Sequence, residues 1–372
     1  MAGHLKSKSC QSAHSCPRYQ NYRLLTARPF HNGSNSFAVT HICSFHTPSI
    51  DSINVISGRR VRALSSEAST VQVQAKPSNY KSVPTSPTWE LDFCSRPLLD
   101  ERNKKVWELL ICDPERTFEY SEYFPNSKIN SAELKRSIEK VLSQPGAVRP
   151  EKARFFRGQM QTIISKALNE LNIKPVPSRR CFTIMTWLEQ RLDGVYRQDP
   201  RFNDKSLSLF NLDMGAPEPL PDALRGEKWA FVQLPLGSVL DMLKAVEMGD
   251  MFGATFSLDS AGVADLPHNM LIPGVAVFSR RSLPLAAWTN GLDIATVKAD
   301  VERSCLILET GVNQRWRYGG WRPSPDSIDE AKGWEDCKEG VRGVHFLAVQ
   351  PDPDSEELNG LWLLQERSPP QI

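Results

Sequence analysis

The chain runs to 372 residues and carries 45 Lys or Arg against 43 Asp or Glu, a formal net charge of +2. Residues 1–66 hold eight of those cations and a single acid, Asp51, so residues 67–372 carry 37 basic and 42 acidic side chains, a net of −5. The main body therefore has no bulk-charge attraction for nucleic acid, and any anionic partner must be held by a local patch; the lack of an unbroken apolar run of about 20 residues excludes a membrane-spanning helix.

The first 50 residues contain no Asp or Glu, five Lys or Arg and many Ser and Thr, and Arg59, Arg60 and Arg62 follow. Basic, Ser-rich and acid-poor is the composition of an organelle transit peptide. We read residues 1–66 as a plastid transit peptide and 67–87 as a disordered linker; the alternative is a basic tail that stays attached. Three of the eight cysteines lie in this segment, and the other five are scattered singly without a Cys-x-x-Cys pair. Structural zinc and a disulfide framework are both disfavoured by that spacing. Cys94 and Cys112 fall in strand patterns as small core residues.

Ordered structure is expected from Trp89. Trp89, Leu91 and Phe93 alternate with Glu90, Asp92 and Cys94, the period of a half-buried strand. Val106 to Cys112 is apolar except at Glu108, as in a central strand, and Pro97 to Asn103 reads as a long hairpin loop. Thr117 to Phe124 is a third strand. Asn130 caps a helix with Glu133 placed to complete a capping box and Leu134, Ile138, Val141 and Leu142 as its apolar stripe. A strand at 153–157 and a periodic helix from Met160 to Leu171 come next. An extended piece at 173–177 then leads to a helix with Ile184, Trp187, Leu188, Leu192 and Val195 on one side.

Three strands, helix, strand, helix, strand, helix is the order of a ribonuclease H-like α/β domain, placed here at 88–198. The fold by analogy carries no function. It does raise the reading of a two-metal nuclease, which needs several carboxylates converging on cations roughly 4 Å apart. Asp92 sits where one ligand would stand, but the fourth strand offers Arg154 and Arg157 in place of an acid. Residues 199–228 are polar and proline-broken and read as a linker. A second α/β domain with mixed sheets is expected over 229–366, with a strand at 229–234, a helix at 238–246 and a strand at 270–278 interrupted at Pro273-Gly274. A short helix at 283–288, strands near 293–300, 304–310 and 314–318, a helix near 327–340 and strands at 344–349 and 361–364 complete it.

Sites of small-molecule chemistry are sparse. There is no phosphate loop of the Gly-x-x-x-x-Gly-Lys type and no paired-His motif, so no cofactor or metal is expected. Beyond residue 66 only His268 and His345 occur, the latter in an apolar strand and read as structural. Two basic stretches stand out. Residues 141–201 hold 11 basic and 5 acidic side chains, including Arg149, Lys152, Arg154, Arg157, Arg179 and Arg180. Cations beside Phe155 and Phe156 would neutralise phosphates while a ring stacks a base, although adjacent strand residues face opposite ways. Arg315-Trp316-Arg317-Tyr318 followed by Gly-Gly-Trp-Arg is a second stacking platform; its competing reading is a hairpin whose aromatics fill the second core.

Trp-Glu-Leu-Asp-Phe-x-Ser-Arg-Pro (89–97), Lys-Lys-Val-Trp-Glu-Leu-Leu-Ile-Cys-Asp (104–113), Arg-Phe-Phe-Arg-x-Gln-Met (154–160), Pro-Ser-Arg-Arg (177–180) and Gly-Leu-Trp-Leu-Leu (360–364) together resemble the Tab-two family of chloroplast and cyanobacterial proteins. A Cys stands at 94 where that pattern leads one to expect an aromatic. The resemblance spans roughly 88–365. It implies a stromal RNA-binding activator of translation for photosystem I, and in land plants photosystem II, reaction-centre messages. The implied partners are single-stranded A/U-rich leader RNA and other translation factors or the ribosome. It also singles out Trp362, Leu363 and Leu364, which physics alone reads as an ordinary buried strand. Two rival readings stand beside it: a metal-dependent nuclease, and a photosystem-assembly scaffold without RNA contact.

Import predicts that protein isolated from tissue begins roughly between residues 55 and 70. N-terminal sequencing checks this, and an intact Met1 would refute it.

Overall fold

The computed structural model describes residues 82–206 and 215–370; the transit-peptide and most of the linker assignments, up to residue 81, lie outside the described residues. β1 (Thr88–Leu99), β2 (Lys105–Cys112) and β3 (Glu119–Phe124) open the first half, followed by α1 (Ser131–Leu142), β4 (Lys152–Phe155), α2 (Gln161–Glu170), β5 (Lys174–Pro177) and α3 (Phe182–Arg191). The sheet runs β3-β2-β1-β4-β5, with β1, β2 and β3 antiparallel and β4 and β5 parallel to β1. This element order matches the sequence reading.

Alternation along β1 sends Trp89, Leu91 and Phe93 to one face, where Leu109 and Ile111 of β2 join them beneath α1 and α2. The stripe Leu134, Ile138 and Val141 of α1 seals that side, and the Asn130 side chain caps the helix by accepting the Glu133 N–H at 2.9 Å. The opposite face is covered too, by α3, through Leu110, Cys112, Ile184, Met185 and Leu188. β1 is therefore buried on both sides rather than half-buried, and its alternate acids are interior. The hairpin is also tighter than expected. β1 continues through Pro97 to Leu99 across a register shift, which tolerates a proline that cannot donate to the ladder. Asp100 then closes the corner by accepting the N–H groups of Arg102 (2.9 Å) and Lys104 (2.8 Å).

α3 ends in a turn of π-helix, Leu192–Tyr196. The wider turn rotates the following side chains, so Tyr196 rather than Val195 points inward; Val195 is exposed. Tyr196 meets a chain of buried charges on the sheet face. Arg157 Nε lies 2.6 Å from Asp92 Oδ1, and Arg96 Nη1 lies 2.8 Å from Asp92 Oδ2. Arg96 Nε is 2.9 Å from Glu108 Oε2, while Arg191 Nη2 pairs with Glu108 Oε1 and the Tyr196 hydroxyl donates to Glu108 Oε2. Burial pushes the Asp92 carboxyl up, but the charges of Arg157 and Arg96 outweigh it and hold the group below its ordinary value.

The second half contains β6 (Glu218–Pro219), β7 (Lys228–Pro235), α4 (Leu236–Glu247), β8 (Phe252–Ala254), β9 (Leu271–Phe278), α5 (Ser282–Asn290), β10 (Ile294–Asp300), β11 (Cys305–Thr310), β12 (Gln314–Gly320), α6 (Pro325–Gly340), β13 (Val344–Gln350) and β14 (Gly360–Gln365). Two sheets form, β7-β9-β13-β14-β8 and β10-β11-β12-β6. Val277, Val349, Trp362 and Leu364 from the first meet Val297, Leu308 and Tyr318 from the second in one core. The other face of the five-stranded sheet packs under α4. Pro273-Gly274 does not interrupt β9: a Cβ at 274 would stand 2.3 Å from the Phe346 ring, so glycine lets β13 lie alongside. His345 is structural, its Nε2 accepting the Val297 N–H at 3.0 Å.

The expected linker regions engage the fold where described. Pro84 and Pro87 carbonyls accept the N–H groups of Val148 and Glu151 (2.8 Å each), Leu98 bridges Phe202, and β6 pairs with β12 beside buried Leu220. Residues 207–214 lie outside the described set.

Asp92→Asn removes one charge from a fully buried chain of ion pairs, and breaking such a pair costs about 3–5 kcal/mol. Urea denaturation at neutral pH is expected to show a loss of that order with the m-value unchanged.

Candidate nucleic-acid interface

Arg154 on β4 lies opposite Glu90 on β1, because the two strands pair in parallel at that register. Two residues past β5 the chain turns through Arg179 and Arg180 into the first turn of α3. That corner docks on the second half. Arg179 Nη2 lies 2.7 Å from Glu309 of β11, and Arg180 Nη2 donates to the Thr255 carbonyl at 2.9 Å. Between the halves this leaves a cleft of about 220 Å³, lined by Glu90, Glu115, Arg154, Arg180, Phe182, Thr183, Phe256, Ser257 and Ser260 among others. Phe182 and Phe256 pack against each other with ring centroids 4.9 Å apart.

The two cleft arginines differ from Arg157 and Arg179 of the expected patch, which are tied to Asp92 and Glu309. Among the described residues neither forms an ion pair, and the buried Arg154 Nε has no hydrogen-bond partner. Arg180 is nearly fully buried; that burial pulls it down to about 10, which leaves it cationic at neutral pH. The acid facing them is subdued. Burial pushes Glu90 up to about 8, and the Ile184 N–H, donating to it at 2.8 Å, only partly offsets this. The cleft is thus a cationic hollow with hydroxyl groups on its wall and an aromatic pair beside it.

Other expected contact residues lie elsewhere. Phe155 and Phe156 are both at 0% exposure, one in each core of the first half, so neither offers a face to a base. Arg157 is interior and bound to Asp92, with its guanidinium over the Phe156 ring. Along β12 the competing hairpin reading prevails. Tyr318 is buried, its hydroxyl sharing a hydrogen bond with that of Thr289, and Trp316 donates to Thr310 and packs edge-on against Trp288. Arg315 is tied to Glu309 (3.4 Å) and Asp300 (3.8 Å), leaving only Arg317 of that run exposed. Trp362, Leu363 and Leu364 are core residues of β14, with Trp362 and Leu364 on one face and Leu363 on the other. Stacking on these buried rings would require opening a core. The cleft residues missed from sequence are Glu90, Phe182, Phe256, Ser257 and Ser260. Those at 256–260 come from a loop of the second half and carried no local signal.

The geometry defines a two-part α/β protein with a cleft between its parts that two arginines line. Two family models cover those parts: RNA-binding protein Tab2/Atab2 N terminal over residues 88–191, and the C-terminal domain of the same family over 208–365. The chain belongs to the Tab2 family. Among its relatives are the Protein TAB2 homolog, chloroplastic, of Arabidopsis thaliana and that of Zea mays. They are 47% and 45% identical over 284 residues, covering 76% of this chain and 76% and 73% of theirs. Among solved structures, the cryo-EM structure of the simian T-cell lymphotropic virus intasome in complex with PP2A regulatory subunit B56 gamma matches 40% of this chain and 62% of its own. That match has 13% identity and a TM-score of 0.22, too low to establish a shared fold.

The Glu90 shift has a measurable sign. The folded state keeps a proton that the unfolded chain gives up above the ordinary value of 4.5, so this contribution to stability is lost as pH rises toward about 8. Glu90→Gln is expected to flatten that part of the stability–pH curve, read by denaturant titration at several pH values.

Proposed function

We propose that this protein is a chloroplast stromal RNA-binding factor that activates translation of photosystem I, and also photosystem II, reaction-centre messages by binding A/U-rich leader RNA. Family membership across both halves supports the RNA-binding reading, and the names of its relatives support the chloroplast. The resemblance of the five motifs is the ground for the photosystem messages and the A/U-rich leader. In structural terms the reading rests on one observation: the cleft holds the cations Arg154 and Arg180, which form no ion pair among the described residues, whereas Arg157, Arg179 and Arg315 are committed to internal carboxylates. On a body with net charge −5, RNA contact must be concentrated at such a place.

The reading is non-catalytic. The sheet order β3-β2-β1-β4-β5 supports a ribonuclease H-like first half. A two-metal site would need Asp92 free beside further carboxylates, and its two oxygens instead face Arg157 and Arg96. Within the stretch 199–228 taken as a linker, β6 and Leu220 pack with the second half, which supports starting that half earlier than residue 229.

Affinity of the full chain for single-stranded A/U-rich RNA is expected to fall with salt, with a log–log slope of about −0.7 per phosphate neutralised. Crosslinked peptides are expected to map to residues 151–160, 178–184 and 254–260. Absence of RNA binding at low salt would instead favour the scaffold reading.

A further inference from the structure

A buried guanidinium normally comes with a carboxylate, because an unpaired charge away from water is costly. The first half obeys this rule at Arg96, Arg157 and Arg191, and Arg179 obeys it across the boundary to the second half. Arg180 departs from the rule, since it is buried with no ion pair among the described residues and its Nη2 donates only to the Thr255 carbonyl, while half-buried Arg154 beside it also has no ion pair among the described residues and a Nε without a hydrogen-bond partner. The interior acid that lines the cleft, Glu90, is held mostly protonated by burial at neutral pH, which lets its carboxyl donate a hydrogen bond, while Asp293, outside the lining, acts on Arg180 through its charge. Glu115 at the rim is exposed and screened by solvent. Such a pair of forks suits the tetrahedral oxygens of a phosphoryl group.

We propose that the cleft between the two halves is a phosphate site, gripping the phosphate of one nucleotide between Arg154 and Arg180 with its base lying outside. Size decides the second part. Ordinary small-molecule pockets measure about 300–1,000 Å³. At about 220 Å³ the cleft takes a phosphate and part of a ribose but not the base as well. The half-exposed Phe256, backed by Phe182, gives that base an aromatic surface at the mouth. Because Thr255, Phe256, Ser257 and Ser260 come from the second half and Arg154 and Arg180 from the first, an occupied site also bridges the halves.

The phosphate chemistry stands without the RNA reading; only its source, an RNA chain rather than a free nucleotide, rests on that reading. The test uses the full chain and three probes at matched ionic strength: inorganic phosphate, adenosine monophosphate and a short single-stranded oligouridylate. Phosphate and adenosine monophosphate are expected to raise the melting temperature above that in chloride. Arg154→Gln, on a partly exposed side chain, is expected to weaken both by tenfold or more, while Arg136→Gln, on the exposed face of α1, leaves them unchanged. Phe256→Ala is expected to weaken adenosine monophosphate and not inorganic phosphate. An equal loss of oligouridylate affinity in Arg154→Gln identifies the source as RNA. Retained oligouridylate affinity with lost adenosine monophosphate identifies a free nucleotide. If the wild type binds no RNA yet adenosine monophosphate still protects it, the RNA reading fails and the cleft survives. If neither phosphate nor adenosine monophosphate protects the wild type, or if Arg154→Gln leaves both within twofold, the phosphate site is overturned.

Discussion

Two carboxylates, Asp92 and Glu108, are held among three guanidinium groups on the covered face of the first sheet, and the rest of the first half is arranged around that contact. β1 contributes Asp92 and Arg96, β2 contributes Glu108, the end of β4 contributes Arg157, and α3 with its π turn contributes Arg191 and Tyr196. Charges this deep are tolerated only when their partners are fixed. The chain therefore sets the seat of α3 on the sheet. It also explains the π turn, since the extra residue in that turn carries the Tyr196 hydroxyl to Glu108.

The position of α3 in turn sets the cleft. Its N-terminus brings the Ile184 N–H to Glu90, and Thr186 donates to the Ser260 carbonyl (3.1 Å) of the second half. Near the end of the chain Arg367 reaches back to Thr186 (2.8 Å) and Glu189 (2.7 Å). These polar contacts flank an apolar one, since Phe182 packs on Phe256 and joins the core of the second half. The boundary between the halves therefore combines apolar packing with polar groups that tolerate charge. A structural network in one half thereby places cations that it does not itself consume at a boundary with the other.

Secondary structure was largely legible because it is written in local periodicity. The Leu134–Ile138–Val141 stripe, the Asn130 cap and the alternation of β1 each survive in the structure within a residue or two. Errors arose where a local pattern met a distant partner. Pro97 reads as a turn, yet a bulge accommodates it and Leu98 bridges Phe202. Pro273-Gly274 reads as a break, yet the missing Cβ lets Phe346 pack across it. β6 is too short to carry a period of its own and exists because β12 pairs with it.

By itself the sequence determined the element order, the contrast between a basic N-terminal stretch and an anionic remainder, the family and the stretches in which basic residues concentrate. Those properties depend on neighbours in the chain. Only the tertiary structure decided which of those arginines are available. Arg154 and Arg157 are three positions apart in one motif, but Arg157 is neutralised by Asp92 whereas Arg154 faces a Glu90 that burial keeps protonated. The physical reason is that a charge's fate depends on desolvation and on partners brought from distant parts of the chain. Neither is visible from spacing alone.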